Sequence, residues 1–182
     1  MLVKTIFSGF GGQGVLSIGN TLADAAMREG KYVTYFPSYG AEVRGGTANC
    51  TVSIADEEIA SPVASEPDFV VCLNQPSFVK FQSVVQSGGL ILVNSSMVNT
   101  SSVRGDIEVV EVPINELAEK LGSVKSANMV MLGTFIKVSN IVSFPHLLKH
   151  LPEILGEGKA RLLKINREAL ETGFNYVKVK GQ

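Results

Sequence analysis

The stretch GFGGQG (residues 9–14) decides the fold of this chain, because an apolar run precedes it and a helical pattern follows it. The run before it is LVKTIF (2–7), and in VLSIGNTLADAAMREG (15–30) apolar residues recur at helical spacing until Gly30 supplies a stop. The spacing G-x-G-x-x-G is typical of the turn that joins the first strand to the first helix of a dinucleotide-binding domain. The chain is therefore predicted to open with a strand, a glycine turn and a helix.

Short apolar runs and helical patterns alternate along the rest of the chain. The near-continuous apolar character of the runs indicates strands that are buried on both faces. The further predicted strands are YVTYF (32–36), CTVSIA (50–55), FVVCL (69–73), LILVN (90–94) and IEVVEV (107–112). The further predicted helices are Gln75–Gln86, PINELAEKLG (113–122), the apolar segment near 128–142, and EGKARLLKINREALETGF (157–174), which is expected to end at Gly173.

This alternation predicts a single α/β domain over residues 1–182, a three-layer α/β/α Rossmann-like sandwich. Residues 37–51 interrupt the pattern, since PSYGAEVRGGTANC has no helical periodicity and runs directly into the next strand. That loop and strand are predicted to be antiparallel or irregular. We therefore expect a sheet that is mostly parallel, or mixed.

Composition limits the classes of function. Charged residues make up 18% of the chain, against about 25% in typical soluble domains, so we expect partner proteins to cover part of the surface. The formal net charge is -1 and the basic residues are scattered. No basic field exists for a phosphate backbone, and nucleic-acid binding is not expected.

The sequence also argues against secretion and membrane insertion. MLVKTIF runs straight into the glycine turn without the regions of a secretory leader. The most apolar later segment, SANMVMLGTFIKVSNIVSF, is interrupted by polar residues and is a poor membrane span. We expect a cytoplasmic protein.

Cys50 and Cys72 are too few for a four-thiolate iron–sulfur or zinc site, and we interpret them as buried residues in strands.

A glycine turn between a strand and a helix is a seat for an anion, because unpaired amides and the helix dipole point at its occupant. Gly9, Gly11, Gly12 and Gly14 remove side chains that would block close approach, and Gln13 directs a hydrogen-bonding side chain at the turn. These five residues are the first candidate binding residues. The alternative is that the glycines only let the helix pack closely on the strand.

The turn lacks the other features of an NAD site. Such sites place an acidic residue about 20 positions onward, at the end of the second strand, to hold the ribose hydroxyls. The corresponding segment, KYVTYFPSYG (31–40), contains no acidic residue and no arginine for a 2′-phosphate. We therefore interpret GFGGQG as a Rossmann-like turn that does not serve NAD.

The second candidate cluster is YGAEVRGGTANC (39–50), in which Glu42 and Arg44 lie between glycines. Arginine offers planar, bidentate recognition of a carboxylate or phosphate, and Glu42 could orient it. Gly45 and Gly46 allow close backbone approach and complete the candidate set. The alternative is a solvated Glu–Arg pair on a glycine-rich turn.

No catalytic acid, base or nucleophile and no metal ligand is assigned. The chain offers no Ser/His/Asp or Cys/His constellation. His146 and His150 lie four residues apart on a helical segment after Pro145, and without a third ligand we interpret them as surface residues.

Five motifs in order carry a resemblance to a known family: GFGGQGV, YFPSYGAEVRGGTANC, SPVASEPDFVVCLNQPSFVKF, GGLILVNSS and SANMVMLG. Together they resemble the γ subunit, or γ domain, of 2-oxoacid:ferredoxin oxidoreductases over roughly residues 3 to 175. These enzymes oxidatively decarboxylate 2-oxoacids, transfer the acyl group to coenzyme A and pass two electrons to ferredoxin.

The resemblance implies a chain that binds no cofactor alone. In the family, thiamine diphosphate and the 2-oxoacid are bound mainly by the α and β subunits. Iron–sulfur clusters are bound by cysteine-rich regions such as a ferredoxin-like δ subunit. This chain is then expected to pack against the α and β catalytic subunits and to shape the coenzyme A side of the active site. Its glycine turn is expected to contact a phosphate or pyrophosphate of coenzyme A.

The segment AEVRGGTAN resembles the 2-oxoglutarate enzymes more closely than the pyruvate enzymes, in which a proline is expected in place of Ala41. Pyruvate, branched-chain 2-oxoacid and indolepyruvate enzymes remain alternatives. So do a stand-alone NAD(P)- or nucleotide-binding protein and a purely structural assembly module. Exposed apolar surface on residues 128–142 is expected to let the isolated chain form a homodimer.

Overall fold

The computed structural model describes residues 1–38, 47–156 and 160–178 of the chain. The strands are β1 (Leu2–Phe10), β2 (Tyr32–Ser38), β3 (Thr47–Ala55), β4 (Phe69–Cys72), β5 (Leu90–Asn94) and β6 (Glu108–Val112). The helices are α1 (Val15–Arg28), α2 (Gln75–Phe81), α3 (Ile114–Lys120), α4 (Ala127–Ser139), α5 (Phe144–Leu155) and α6 (Ala160–Tyr176), with a 3-10 turn at Val124–Ser126. Each predicted strand overlaps an observed strand. Among these helices, none has the length and apolar character needed to span a bilayer.

The strands form one sheet in the order β2-β3-β1-β4-β5-β6. β1 pairs in parallel with β4, and parallel pairing continues to β5 and β6. β3 lies antiparallel between β1 and β2, so it runs against the other strands of this sheet. The expectation of a mostly parallel, mixed sheet is confirmed, because β3 pairs antiparallel with both β1 and β2 while the other neighbouring strands pair in parallel.

The two faces of the sheet contribute to two separate apolar clusters, because side chains alternate along a strand. The larger cluster contains Phe7, Val71 and Leu92 together with residues of α1, α3, α4, α5 and α6. The smaller cluster contains Ile6 and Val70 together with residues of α2. The three-layer α/β/α prediction is confirmed, with helices distributed unequally between the two faces in the part of the chain that the structure describes.

α4 lies inside the larger helical layer, although we expected its apolar surface to be exposed. All its residues from Asn128 to Ile136 are buried, and α6 packs closely against it. The prediction that residues 128–142 provide a surface for self-association is therefore wrong. Other parts of the same chain already cover that surface.

Two glycines set the distance between α4 and α6. A Cβ atom on Gly133 would collide with the backbone carbonyl of Leu170, and one on Gly173 would collide with the backbone carbonyl of Val130. α6 continues through Gly173 to Tyr176. The prediction that this helix ends at Gly173 is wrong, because the glycine serves close helix packing rather than a C-terminal turn.

The helix predicted at Gln75–Gln86 is shorter than expected, since α2 ends at Phe81. The Arg104 guanidinium donates hydrogen bonds to three backbone carbonyl groups in the segment 82–85, at 2.9 to 3.2 Å. These carbonyl groups are therefore satisfied without a continuing helix. The chain is free to turn towards β5.

The two cysteines are buried in strands, as expected, and they lie on opposite faces of the sheet. Cys50 belongs to the larger cluster and Cys72 to the smaller one. Both are free thiols. Burial raises the pKa of the Cys50 thiol to about 12, and burial also raises the pKa of the Cys72 thiol.

We expect Gly173→Ala to lower the free energy of unfolding by about 1 to 2 kcal/mol, because a typical overpacking penalty of about 2 to 3 kcal/mol is only partly offset by the better helix propensity of alanine. The added methyl group would push α6 away from α4, and this cost exceeds the gain of about 1 kcal/mol that alanine brings in helix propensity. Urea denaturation measures the difference. Gly105→Ala is the matched control, because a Cβ atom there meets nothing within 4 Å. Equal stability of the two variants would contradict the close crossing.

We expect both thiols of the native protein to resist an aromatic disulfide reagent at pH 8, because the thiolate is the nucleophile and burial suppresses it. Both should react once urea unfolds the chain. In the unfolded state Cys50 ionises near its usual pKa of 9.0. The stability that the raised pKa represents is therefore present below about pH 9 and is lost as the pH rises towards 12. Rapid reaction of the native protein, or a urea midpoint that rises above pH 9, would count against this burial.

Candidate ligand site at the glycine turn

The glycine turn lies at the carboxyl end of β1 and leads directly into α1. Gly12 and Gly14 have backbone φ angles of 93° and 76°, which residues with side chains rarely adopt. Gly14 is the N-cap residue of α1, and no side chain caps this end of the helix. The turn therefore leaves the first amides of α1 open to a ligand.

The Gln13 side chain fastens this turn to the neighbouring strands. Its Oε1 accepts a hydrogen bond from the Phe10 amide at 2.6 Å and another from Asn74 Nδ2 at 3.3 Å. Its Nε2 donates to the Leu73 carbonyl at 3.3 Å and to Met97 Sδ at 3.4 Å. Gln13 forms hydrogen bonds at the turn, as expected, and its partners are other residues of this chain.

Gln13 lies in the crevice where open α/β sheets usually bind their ligands. β1 and β4 are neighbours, but α1 packs on one face of the sheet and α2 on the other. Such a switch between adjacent parallel strands opens a crevice at their carboxyl ends. Here the glutamine bridges that crevice from β1 to Leu73 and Asn74. A dinucleotide-binding domain uses this space for the pyrophosphate.

The position of β2 gives a second reason against NAD binding. In this sheet β3 lies between β2 and β1. Neighbouring strands are about 4.8 Å apart, so β2 lies roughly 10 Å from β1 instead of next to it. β2 also carries no acidic residue.

A cavity of about 310 Å³ opens beside the turn, on the side of β2 and β3. We call it the front cavity. Its lining includes Gly11, Gly12, Gly14, Leu16, Ser17 and Ser38. The backbone amides of these three glycines and of Val15, Leu16 and Ser17 donate no backbone hydrogen bond to any described residue, whereas the Ile18 amide already donates to the Gly14 carbonyl at 3.0 Å. No acidic side chain belongs to the described lining. Unpaired amides at a helix N-terminus favour a negatively charged ligand.

The second candidate cluster cannot be placed directly, because the following residues lie outside the described part of the chain: Glu42, Arg44, Gly45 and Gly46. Their described neighbours Ser38 and Ala48 both line the front cavity. Ala48 pairs with Gly9 across the sheet. The two clusters selected from the sequence are therefore flanked by residues at the same edge of the sheet.

Sequence analysis misses three asparagines that meet at this edge. Asn74 Oδ1 accepts a hydrogen bond from the Ser77 amide at 2.9 Å and so caps α2. Asn94 Nδ2 donates to the Leu73 carbonyl at 3.3 Å and to Asn115 Oδ1 at 3.2 Å. A usable signal exists for two of them, because Asn74 and Asn94 each end an apolar run. The carboxyl ends of parallel strands share one edge of a sheet.

The two histidines pack together on α5, with ring centroids 4.5 Å apart. His150 Nδ1 lies 3.4 Å from Glu153 Oε2. The hydrogen bond from His150 and the charge of Arg28 hold the pKa of Glu153 below its usual value. Both rings are half-buried, so the expectation of simple surface residues needs correction. Among the described residues, no group of three or more His, Cys, Asp or Glu side chains could hold a metal ion.

The sequence matches the family described as pyruvate ferredoxin/flavodoxin oxidoreductase over residues 4–176. It is 38% identical over 176 residues to the ketoisovalerate oxidoreductase subunit VorA of Methanothermobacter thermautotrophicus, which covers 97% of this chain and 36% of that protein. It is 35% identical over 154 residues to the 2-oxoglutarate synthase subunit KorC of Methanocaldococcus jannaschii, which covers 83% of this chain and 82% of that one. The chain thus spans about a third of the length of the first relative and most of the second.

Solved structures share the fold. The gamma subunit of a keto/oxoacid ferredoxin oxidoreductase from Geobacter sulfurreducens PCA superposes with a TM-score of 0.79 at 30% identity, over 94% of this chain and 96% of that one. A 2-oxoglutarate:ferredoxin oxidoreductase from Magnetococcus marinus superposes with a TM-score of 0.83 at 23% identity, over 96% of this chain and 30% of that one. The chain therefore belongs to the pyruvate ferredoxin/flavodoxin oxidoreductase family, as a γ-type member.

Proposed function

We propose that this chain is the γ subunit of a 2-oxoacid:ferredoxin oxidoreductase complex. Such a complex oxidatively decarboxylates a 2-oxoacid, transfers the acyl group to coenzyme A and passes two electrons to ferredoxin. In this proposal the chain shapes the coenzyme A side of the active site and contributes to assembly. The observation that carries the proposal is the front cavity, in which unpaired amides surround a space whose described lining has no acidic side chain.

The reactive groups of the complex belong to partner chains in this proposal. Thiamine diphosphate is assigned to the α and β subunits and the iron–sulfur clusters to a ferredoxin-like δ subunit or domain. Cys50 and Cys72 support this division, because they are buried on opposite faces of the sheet and cannot bind one cluster together.

The glycines at the turn divide into two roles. A Cβ atom on Gly9 would lie 2.7 Å from Gln13 Oε1, so Gly9 and Gln13 shape the turn by close packing. Gly11, Gly12 and Gly14 present unpaired amides, and we assign them to a phosphate of coenzyme A. About a third of the Magnetococcus marinus enzyme has this fold, and that enzyme was solved with coenzyme A bound.

Residues 39 to 46 supply the remaining proposed contacts. Arg44 is assigned to a phosphate or carboxylate of the ligand, because a guanidinium recognises either one with two parallel hydrogen bonds. Glu42 is assigned to orient Arg44, and Gly45 and Gly46 to close backbone approach. Ser38, which precedes this segment, lines the front cavity and supports its participation.

The 2-oxoacid is proposed to be 2-oxoglutarate. The segment AEVRGGTAN favours 2-oxoglutarate, and so does the similarity to the KorC subunit of a 2-oxoglutarate synthase. A branched-chain 2-oxoacid is the second candidate, because the 38% identical VorA is named for ketoisovalerate. The groups that select the substrate are assigned to the partner subunits.

The alternative of a stand-alone NAD(P)-binding protein has less support. Gln13 occupies the crevice, and β2 lies one strand too far from β1. Calorimetric titration of the chain with NADH would favour this alternative if it showed micromolar affinity. The cytoplasmic location and a homodimer of the isolated chain stay predictions.

Co-expression of the partner subunits with and without this chain tests the proposed role. We expect reduction of a viologen dye that depends on both the 2-oxoacid and coenzyme A only when the chain is present, because it completes the coenzyme A side. Comparing kcat/KM for 2-oxoglutarate, pyruvate, ketoisovalerate and indolepyruvate should give the highest value for 2-oxoglutarate. Full activity without the chain would refute its role. A clear preference for ketoisovalerate would instead select the branched-chain alternative.

A charge placed in the front cavity tests the coenzyme A assignment. Ser17 is exposed in the first turn of α1 and lines this cavity. We expect Ser17→Asp to raise the KM for coenzyme A about tenfold, which corresponds to about 1.4 kcal/mol of repulsion. The helix itself should be unharmed, since a carboxylate near its N-terminus is favourable. Ser17→Asn has nearly the same shape without the charge and is the control. An unchanged KM in a stable Ser17→Asp complex would argue that no phosphate binds here.

A further inference from the structure

A second cavity adjoins the glycine turn on the side of α3 and α4. Its volume is about 210 Å³, many times the roughly 30 Å³ that one water molecule occupies. We call it the rear cavity. Gly12 lines both the front and the rear cavity, so a ligand seated at the turn could extend from one into the other.

The polar groups of the rear cavity are mostly hydrogen-bond donors. Asn115 Oδ1 accepts from Asn94 Nδ2, which leaves Asn115 Nδ2 to donate. Lys125 lines the same cavity and forms no ion pair or hydrogen bond with any described residue. No acidic side chain belongs to the described lining. The charge in this cavity is therefore positive.

Asn128 contributes a buried acceptor. It is 8% exposed, it lines the rear cavity, and its Nδ2 donates to the Gly14 carbonyl at 3.5 Å. Its Oδ1 has no hydrogen-bond partner among the described residues and is not one of their fully enclosed unpaired atoms, so it remains accessible to a hydrogen-bond donor of a ligand. Asn128 lies in the first turn of α4, whose N-terminus has no side-chain cap. A ligand here would need a negative charge and, beside it, a hydrogen-bond donor.

We propose that the rear cavity binds a phosphate monoester that carries a hydroxyl group on the neighbouring carbon. This inference rests on the proposed function, because coenzyme A has this pair of groups, the 3′-phosphate and 2′-hydroxyl of its ribose. Lys125 and Asn115 Nδ2 bind the phosphate, and Asn128 Oδ1 accepts the hydroxyl proton. The pyrophosphate of the same molecule then lies in the front cavity and accepts hydrogen bonds from its backbone amides.

Kinetics of the assembled complex with coenzyme A and with 3′-dephospho-coenzyme A test this assignment. The wild-type complex should show a KM about tenfold lower for coenzyme A, the lower end of what a hydrogen bond to a charged group contributes, because Lys125 is exposed to screening solvent. Lys125→Met should raise the KM for coenzyme A about tenfold and leave the KM for the dephospho compound unchanged. Lys125→Arg should keep most of the discrimination. Lys120→Met removes an exposed lysine at the end of α3 and should behave as wild type.

Two outcomes would overturn the assignment. One is that Lys125→Met leaves both KM values unchanged, and the other is that it raises both equally. Ser17→Asp separates this failure from failure of the proposed function, because a charge in the front cavity should raise the KM for both compounds. If Ser17→Asp raises the KM for coenzyme A and Lys125→Met does not, coenzyme A binds at the turn but its 3′-phosphate lies elsewhere. If neither variant changes the KM for coenzyme A, coenzyme A does not bind this chain, and both proposals fail.

Discussion

The hydrogen bonds of the Gln13 side chain are the constraint on which the carboxyl edge of the sheet depends. They connect the Phe10 amide at the end of β1 to Leu73 and Asn74 after β4. Because Gln13 satisfies the Phe10 amide, the amides left without a described partner are those of the following glycines and of Val15, Leu16 and Ser17 at the start of α1. The same side chain bridges the crevice between β1 and β4. One residue therefore decides which part of a Rossmann-like turn is available for binding.

The helical layer on the larger face determines what lies behind the turn. Gly133 and Gly173 let α4 and α6 approach to backbone contact, and this contact places the N-terminus of α4 beside α1. Asn128 then reaches the Gly14 carbonyl, and Lys125 lines the cavity next to it. Packing that looks purely structural thus positions the polar groups on one flank of the candidate site.

The sequence predicts the elements and the turn well because both depend on local chemistry. Apolar runs bounded by turn residues mark the strands, and positive φ angles at Gly12 and Gly14 require glycine. The errors arise where one residue type serves two purposes. Gly173 has the sequence signature of a helix end but functions in a helix crossing. The apolar composition of segment 128–142 indicates that it is buried. Composition cannot show that α6 of the same chain is the element that covers it.

What the sequence alone determined is the α/β class, the strand–glycine–helix opening, the break in the strand–helix alternation at residues 37–51, and the absence of an acidic residue from KYVTYFPSYG (31–40). Local pattern suffices for these features, because backbone conformation and burial follow from neighbouring residues. Only the tertiary structure decided which residues Gln13 binds, that β3 separates β2 from β1, and that Asn115, Lys125 and Asn128 share a cavity with Gly12. More than 100 positions separate Gly12 from this group along the chain, and such contacts arise from the packing of whole elements, which no local pattern records.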